Sequence, residues 1–465
     1  MRTPAPETRP VGLTIAGSDS GGGAGIQADL ATMAAHGVFG TSAITAVTAQ
    51  NTRGVESSHV LPLEEIEAQL EAVTDDFDVG AAKTGMLATT DVVRFVADRA
   101  ESFEFPLVVD PVMVATSGDR LLEPEAERAY EDLLSAATLA TPNADEAEVL
   151  TDIEVADEES AREAGEAILE TGVDAVLVKG GHIPGEQVRD TLVTNDAVRV
   201  FEHPRIRTEA THGSGCTLAA AIAARLAKGE PLEPAVEGAT NFLARAVRYY
   251  YDVGEGHGAV NHLVDLRNEA SRNLTAEEVQ AVVDRFVERD VSLLVPEVGM
   301  NVVGATPAAE SVADTAAVEG RITRTLSGVQ PNRGVRFGAS SHVARFLLSA
   351  REFFPNLRFA VNCRFGPDVE DALEDLEWRL AAYDRDEEPM DAKEAEGDTM
   401  SWGARQAFGD REEPPAAVID RGDVGKEAMT KVIASDPETL ADRVLELEEA
   451  LDTDGELALE DEVTR

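Results

Sequence analysis

Thr14-Ile-Ala-Gly-Ser-Asp-Ser-Gly-Gly-Gly-Ala-Gly-Ile-Gln-Ala-Asp29 is the stretch from which the rest of the chain can be read. The apolar run Val11–Ala16 reads as a short buried strand, and the pattern from Ile26 to His36 reads as a helix. Between them stand Gly17, Gly21, Gly22, Gly23 and Gly25. Glycines this dense between strand and helix let the backbone reach positive φ and approach a ligand closely. Neither familiar nucleotide loop fits. A Walker A loop needs a Lys that does not follow here, and a dinucleotide fingerprint begun at Gly21 would need Gly where Ile26 stands. A plain tight turn would account for one or two glycines; this many point to a loop closing over a small polar substrate.

Far along the chain, Thr211-His212-Gly213-Ser214-Gly215-Cys216 opens an Ala-rich helix that runs to Lys228. A Gly-Ser-Gly turn at a helix start leaves N–H groups unpaired, and the helix dipole adds partial positive charge. Such a turn suits an anion, for instance a phosphoryl group in transfer, although Ser214 could also be an ordinary N-cap. Between the two motifs the pattern predicts strands over Thr41–Thr48, Ala81–Lys83, Leu107–Asp110, Leu139–Thr141 and Ala175–Lys179. Helices are expected at Leu63–Val73, Thr90–Glu101, Pro124–Ala136, Ala144–Leu150 and Glu159–Thr171. This rhythm makes an α/β fold with a mostly parallel sheet covered by helices on both faces. Substrates of such sheets sit at the C-terminal ends of the strands, where the motifs fall. Thr191–Thr194 and Ala197–Glu202, joined by Asn195-Asp196, read as a hairpin at the sheet edge.

Composition narrows the function classes. Acidic residues number 88 against 40 basic in 465 residues, a formal charge of −48. A surface this negative repels nucleic acid and anionic membranes, so neither is an expected partner. The acid is spread along the chain and only six residues are Lys, which suits a protein kept soluble in concentrated salt, and a haloarchaeal source is expected. Cys216 and Cys363 make no disulfide framework and show no metal spacing. No apolar run is long enough to span a bilayer. A soluble cytoplasmic protein is expected.

A break follows Arg267, and Thr275 with Glu278 reads as a capping box that starts a new helix. Two domains are expected, over 10–268 and 274–452, with an acidic tail from Asp452. In the second, Glu319-Gly320-Arg321-Ile322 follows a helical stretch, and Gly338-Ala-Ser-Ser-His342 opens a helix to Phe354. Gly397-Asp-Thr-Met-Ser-Trp-Gly403 reads as a loop. Val418-Ile-Asp-Arg-Gly-Asp-Val-Gly-Lys-Glu427 reads as strand, glycine loop and helix, with Lys426 in the first helical turn. Two helix starts with Ser340, Ser341, Arg321, His342 and Lys426 suit a phosphate- or pyrophosphate-bearing ligand.

Residues 11 to about 262 resemble the hydroxymethylpyrimidine/phosphomethylpyrimidine kinases of thiamine biosynthesis, in the ribokinase-like superfamily. The matching stretches are Ala16–Asp29, Ile44–Thr52, Lys83–Leu87, Val109–Met113, Thr141–Asn143 with Glu146, Val178–His182 and Thr211–Cys216. The resemblance implies a ribokinase-like three-layer α/β/α domain using ATP and Mg²⁺. It implies that Gln50 pairs with the pyrimidine edge, since a carboxamide donates and accepts together, with Gly17, Asp29, Met86 and Val112 completing the pocket. Asp110 and the segment from Asn143 to Glu146 correspond to the Mg²⁺-water shell, and Lys179, Asn143 and Ser214 to the ATP contacts. Gly213, Gly215 and Cys216 form the phosphoryl-transfer turn. A thiol at a helix N-terminus can have its pKa lowered towards neutrality and take the alcohol proton; a loose transition state barely needs a base, so Cys216 could instead shape the pocket.

Residues from about 291 to 435 resemble the archaeal-type thiamine-phosphate synthase, through Val295–Gly299, Ala317–Ile322, Phe337–His342, Glu396–Gly403 and Asp420–Met429. The resemblance ties Arg321 and His342 to activity. The implied reaction joins the pyrimidinylmethyl diphosphate to a thiazole phosphate with loss of pyrophosphate. Two alternatives stay open: a C-terminal domain that only senses a ligand, and a kinase that acts on pyridoxal. Small-molecule substrates are the expected partners, in a homo-oligomer.

Overall fold

A computed structural model of the chain describes residues 7–113, 125–385, 388, 398–409, 411–423 and 426–463. The chain divides between Leu266 and Arg267 into two compact units. The first begins β1 (Val11–Ala16), α1 (Gly25–Ala35), β2 (Phe39–Ile44), β3 (Ala46–Asn51), β4 (Gly54–Val60), α2 (Leu63–Thr74), β5 (Val79–Thr84), α3 (Thr90–Ala100) and β6 (Leu107–Val109). It continues α4 (Glu125–Ser135), β7 (Leu139–Ala140), α5 (Ala144–Thr151), α6 (Glu158–Leu169), β8 (Ala175–Val178), β9 (Gln187–Thr194), β10 (Val198–Pro204), α7 (Ser214–Ala227) and α8 (Leu232–Arg248).

The main sheet has the order β10-β9-β8-β7-β6-β5-β1-β2. Strands β2 to β8 along it are parallel, and β9 and β10 close the edge as the expected antiparallel hairpin. Leu13, Ile15, Val109, Val176 and Val178 face one side and pack on Ile66, Val93, Tyr130 and Ile168 from α2, α3, α4 and α6. The opposite side carries α1, α7 and α8, with Met33 against Ala224. This is a three-layer α/β/α unit. Burial on both faces is why its strands read as unbroken apolar runs rather than alternating ones.

One predicted strand is two. The chain leaves the sheet after Ile44, where Thr45 sends its N–H to the Ala16 carbonyl and its hydroxyl to the Met86 carbonyl. It then forms a separate two-stranded ribbon, β3 with β4, beside the glycine loop. The start of the predicted helix at Pro124 lies outside the described residues.

The second unit comprises α9 (Val264–Ala270, across the division), α10 (Arg272–Arg289), β11 (Val302–Ala305), β12 (Thr315–Val318), β13 (Ile322–Thr325), β14 (Gly328–Pro331) and β15 (Val335–Phe337). It ends with α11 (His342–Arg351), β16 (Phe359–Arg364), α12 (Pro367–Asp375), β17 (Leu380–Tyr383), α13 (Asp398–Phe408), β18 (Ala417–Asp420), β19 (Met429–Ala434) and α14 (Pro437–Val463). A mainly antiparallel sheet of order β15-β12-β11-β16-β19-β18-β17 packs α10, α12 and α14 on one face and α11 and α13 on the other.

Three local expectations fail here. Thr275 is buried inside α10 rather than capping it; the helix begins at Arg272, and Glu278 pairs with Arg358. The Asp398–Gly403 part of the expected loop belongs to α13, while Gly397 lies outside the described residues. Lys426 opens no helix. It bridges to Asp423 in the connection between the antiparallel strands β18 and β19, and Gly422 at φ +77° makes the turn; Val424 and Gly425 are not described. Among the described residues, no helix is long and apolar enough to cross a membrane.

Candidate active sites

Asp19 organises the glycine loop. Its carboxylate, 2% exposed, accepts the N–H groups of Gly21, Gly23 and Ala24 at 2.8–3.0 Å, folding the loop around itself. Burial pushes the Asp19 carboxyl up, but the His212 hydrogen bond and these N–H donors hold it below its usual range. Gly25, at φ +56°, starts α1 with its α-carbon against the chain at Gly17; a Cβ there would lie 2.5 Å from the Gly17 carbonyl oxygen.

The two glycine motifs meet. Gly213 at φ +80° precedes α7 and packs directly on Gly23, and His212 Nε2 lies 3.1 Å from Asp19 Oδ2. The first turn of α7 leaves the N–H groups of Gly215 and Cys216 without a backbone acceptor. Ser214 is not a side-chain cap; its N–H goes to the Thr211 carbonyl. A Cβ on Gly215 would stand 3.4 Å from Lys179 Nζ and 3.5 Å from Asp110 Oδ2. Two strand ends thus deliver their groups to one helix N-terminus, Asp110 after β6 and Lys179 after β8, while Asn143 after β7 bridges to Lys179 through backbone.

Lys179 Nζ lies 2.8 Å from Asp110 Oδ1 and 3.7 Å from Glu146 Oε2. Burial disfavours the Lys179 charge, and the two carboxylates more than restore it, raising its pKa. Burial pushes the Glu146 carboxyl up to about 7 against the pull of Lys179. Asn143 and Glu146 form a reciprocal capping box on α5, in which the Asn143 side-chain oxygen accepts the Glu146 N–H and the Glu146 carboxylate accepts the Asn143 N–H. Two buried carboxylates near the α7 N-terminus are a hard-oxygen donor set of the kind Mg²⁺ shares with phosphates and waters.

Around the pyrimidine pocket inferred from the sequence, Met86 packs on Gly17, whose Cβ would lie 2.5 Å from Met86 Cε. Gln50 is half-buried on β3, its backbone pinned by a reciprocal pair of hydrogen bonds with the Ser20 hydroxyl. Val112 is half-buried after Asp110. Asp29 is fully buried, with both carboxylate oxygens 3.0 Å from Lys83 Nζ and one accepting from the Thr14 hydroxyl. Of the two roles open to Cys216, its environment favours the second: desolvation pushes the thiol up to about 11 despite Lys83 and the Gly25 N–H, where the helix N-terminus alone would lower it.

In the second unit, Arg321 follows Gly320 in the left-handed region at φ +72°, a costly conformation for a residue with a side chain, and reaches the Val298 carbonyl. His342 opens α11, with the Ser341 hydroxyl 3.2 Å from its Nδ1; Ser340 stands just before Ser341. Burial and the charges of Arg321, Arg345, Arg385 and Lys426 together lower the His342 pKa. Four cations thus bear on one imidazole, in a chain of net charge −48. Behind it Asp420 is buried between Arg385, Lys431 and the Tyr383 hydroxyl, all within 2.6–2.8 Å.

The sequence reading did not single out Asp19, His212, Lys83, Arg345 or Arg385 as site residues. Ser-Asp-Ser after a strand is a turn signal for Asp19. Arg345 stands three residues after His342 on the same helical face. Nothing local marks Arg385.

A doubly wound sheet, a glycine loop and a Lys-Asp pair at a helix N-terminus together define an α/β phosphotransferase of the ribokinase-like kind. Residues 19–261 match the family model of phosphomethylpyrimidine kinase, and residues 278–446 match that of thiamine-phosphate synthase ThiN. The hydroxymethylpyrimidine/phosphomethylpyrimidine kinase of Haemophilus influenzae is 48% identical over 256 residues, which make up 54% of this chain and 95% of that protein. The thiamine biosynthesis bifunctional protein ThiED of Geobacter sulfurreducens is 45% identical over 262 residues, 56% of this chain and 54% of its own. The Bacillus subtilis pyridoxal kinase solved with ADP superposes with a TM-score of 0.53 at 34% identity, covering 56% of this chain and 99% of its own. The chain belongs to the phosphomethylpyrimidine kinase family and carries a thiamine-phosphate synthase domain behind the kinase, a bifunctional enzyme of thiamine biosynthesis.

Proposed function

We propose that the first unit phosphorylates 4-amino-5-hydroxymethyl-2-methylpyrimidine with ATP to the monophosphate and then the diphosphate, and that the second unit condenses the diphosphate with thiazole phosphate. The convergence of Lys179, Asp110 and the α7 N-terminus at Gly215 carries the kinase reading. The substrate oxygen attacks the γ-phosphorus as the bond to the ADP oxygen breaks; in the first step the alcohol proton leaves to water as the bond forms, and in the second the attacking oxygen is already an ionised phosphate oxygen. Phosphoryl transfer asks mainly for positioning and charge neutralisation. Lys179 and the N–H groups of Gly215 and Cys216 meet the equatorial oxygens, while Gln50, Met86 and Gly17 hold the ring. Asp110 and Glu146 would hold Mg²⁺, which supplies positive charge across the phosphates when bound. Cys216 is a neutral thiol that lines the pocket.

In the second unit the thiazole nitrogen attacks the pyrimidinylmethyl carbon; the carbon–nitrogen bond forms as the carbon–oxygen bond breaks and pyrophosphate leaves. Arg321, Lys426 and the α11 N-terminus with Ser340 and Ser341 bind the departing charge, with Arg345 and Arg385 in support. His342 donates a hydrogen bond to it. The charge balance suits a cytoplasm of high salt, and the enzyme is proposed as a homo-oligomer there.

The test of the kinase half is Lys179→Ala. Loss of one preorganised donor is expected to lower kcat by about a hundred- to a thousandfold, with the KM for hydroxymethylpyrimidine unchanged. The wild-type chain, assayed beside it on pyridoxal, is expected to prefer the pyrimidine. A variant of near wild-type kcat, or a preference for pyridoxal, contradicts the proposal.

A further inference from the structure

His212 touches both the loop carboxylate and the residue proposed to read the substrate, and its proton accounting fixes how that residue points. Asp19 accepts three backbone N–H groups, and its pKa is held down, so it is an ionised carboxylate with no hydrogen to give. His212 Nε2, 3.1 Å from Asp19 Oδ2, therefore carries the hydrogen of that contact. The same Nε2 lies 3.3 Å from the end of the Gln50 carboxamide. An N–H cannot accept, so the Gln50 atom facing it is the carbonyl oxygen, and the nitrogen takes the other position; the two ends of a carboxamide have the same shape and differ only by a half-turn.

The other end agrees. The second Gln50 terminal position lies 3.4 Å from the Thr48 hydroxyl, whose own hydrogen goes to the Ser18 carbonyl at 2.8 Å. Thr48 can therefore only accept from Gln50, which requires the amide nitrogen there. With this orientation every contact pairs a donor with an acceptor, the single Nε2 hydrogen of His212 being shared between Asp19 and Gln50; with the opposite one, acceptor would face acceptor at Thr48 and donor would face donor at His212. Gln50 keeps one oxygen lone pair and one N–H for a ligand, an edge complementary to a ring nitrogen beside an amino group.

We infer that His212, anchored on Asp19, is a positioning residue that locks the Gln50 carboxamide and so selects an aminopyrimidine over a ring lacking that amino group, such as pyridoxal. This rests on the proposal that Gln50 reads the pyrimidine. The His212 ring also packs on Gly23, where an added Cβ would lie 2.6 Å from its Cδ2, so the glycine loop and His212 are in direct contact.

The test compares the full chain with Gln50→Ala, His212→Ala, the double variant and His212→Gln, which keeps an N–H donor at the same reach. His212→Ala is expected to raise the KM for hydroxymethylpyrimidine about tenfold, the scale of one hydrogen bond. The ATP KM should hold, and the preference over pyridoxal should fall by the same factor. His212→Gln restores both, and His212→Ala has no further effect once Gln50 is Ala. If His212→Ala lowers Tm, His212→Asn, too short to reach Gln50, is used in its place. Equal effects of the His212 change with and without Gln50 overturn the inference. If Gln50→Ala raises the pyrimidine KM while the His212 variants do not, the inference alone fails. If Gln50→Ala leaves that KM unchanged, the reading of Gln50 fails and this inference with it.

Discussion

The carbonyl oxygen of Gly23 lies 1.8 Å from where a Cβ on Gly213 would stand, so the two glycine-rich motifs touch through bare backbone. Gly213 is also at φ +80°, where a side chain is strained. Gly213→Ala is expected to destabilise the first unit by about 1–3 kcal/mol through overpacking and to abolish both kinase steps, since the α7 N-terminus must shift away from Lys179. Thermal unfolding and kinase rates check this. Near wild-type turnover would mean that the contact is not needed for the phosphoryl site.

Cys216 is half-buried and is expected to behave as a neutral thiol. With its pKa pushed up to about 11, raising the pH towards and past 9 should increase its reactivity, and lowering it below 8 should leave it almost inert. Alkylation with iodoacetamide, read by peptide mass across pH 6–10, is expected to climb steadily to the top of that range. A half-maximal rate near pH 7 would instead identify an activated thiolate.

Arg321→Ala and His342→Ala are each expected to leave both kinase steps intact while cutting thiamine-phosphate formation about a hundred- to a thousandfold, the usual loss for one preorganised donor to a leaving oxyanion. Supplying the pyrimidinylmethyl diphosphate directly isolates this step. Near wild-type synthesis by either variant removes that residue from the chemistry.

A charge of −48 repels itself across the surface. Raising KCl to about 1 M shortens the screening length to about 3 Å, and Tm and activity are both expected to rise with it. An unchanged Tm between dilute buffer and molar salt contradicts salt adaptation.

Much of this was legible in the sequence, for physical reasons. Val11–Ala16 and Ala175–Val178 are buried on both faces, so their composition announced them as strands. Strand β4 was missed because Gly54–Val60 is polar and almost wholly exposed, paired only with β3, and shows no alternation. Lys426 was misplaced because a glycine loop after a strand looks the same whether a helix or a returning strand follows; only the pairing of β18 with β19 decides it. The group of cations around His342 was half visible. Arg321 and His342 lie in recognisable runs, whereas Arg385 joins them only through its buried bond to Asp420 from another strand end. His212 stood inside a quoted motif, but its part depends on Asp19 and Gln50, far away in the sequence.

The central claim is that one chain carries hydroxymethylpyrimidine to thiamine phosphate. The direct measurement is to incubate the purified full-length chain with hydroxymethylpyrimidine, ATP, Mg²⁺ and thiazole phosphate in high salt, and to follow thiamine phosphate by its fluorescence after oxidation. The account predicts that thiamine phosphate accumulates after a transient of pyrimidinylmethyl diphosphate, and that omitting ATP stops it unless that diphosphate is supplied. Diphosphate that accumulates with no thiamine phosphate forming would contradict it.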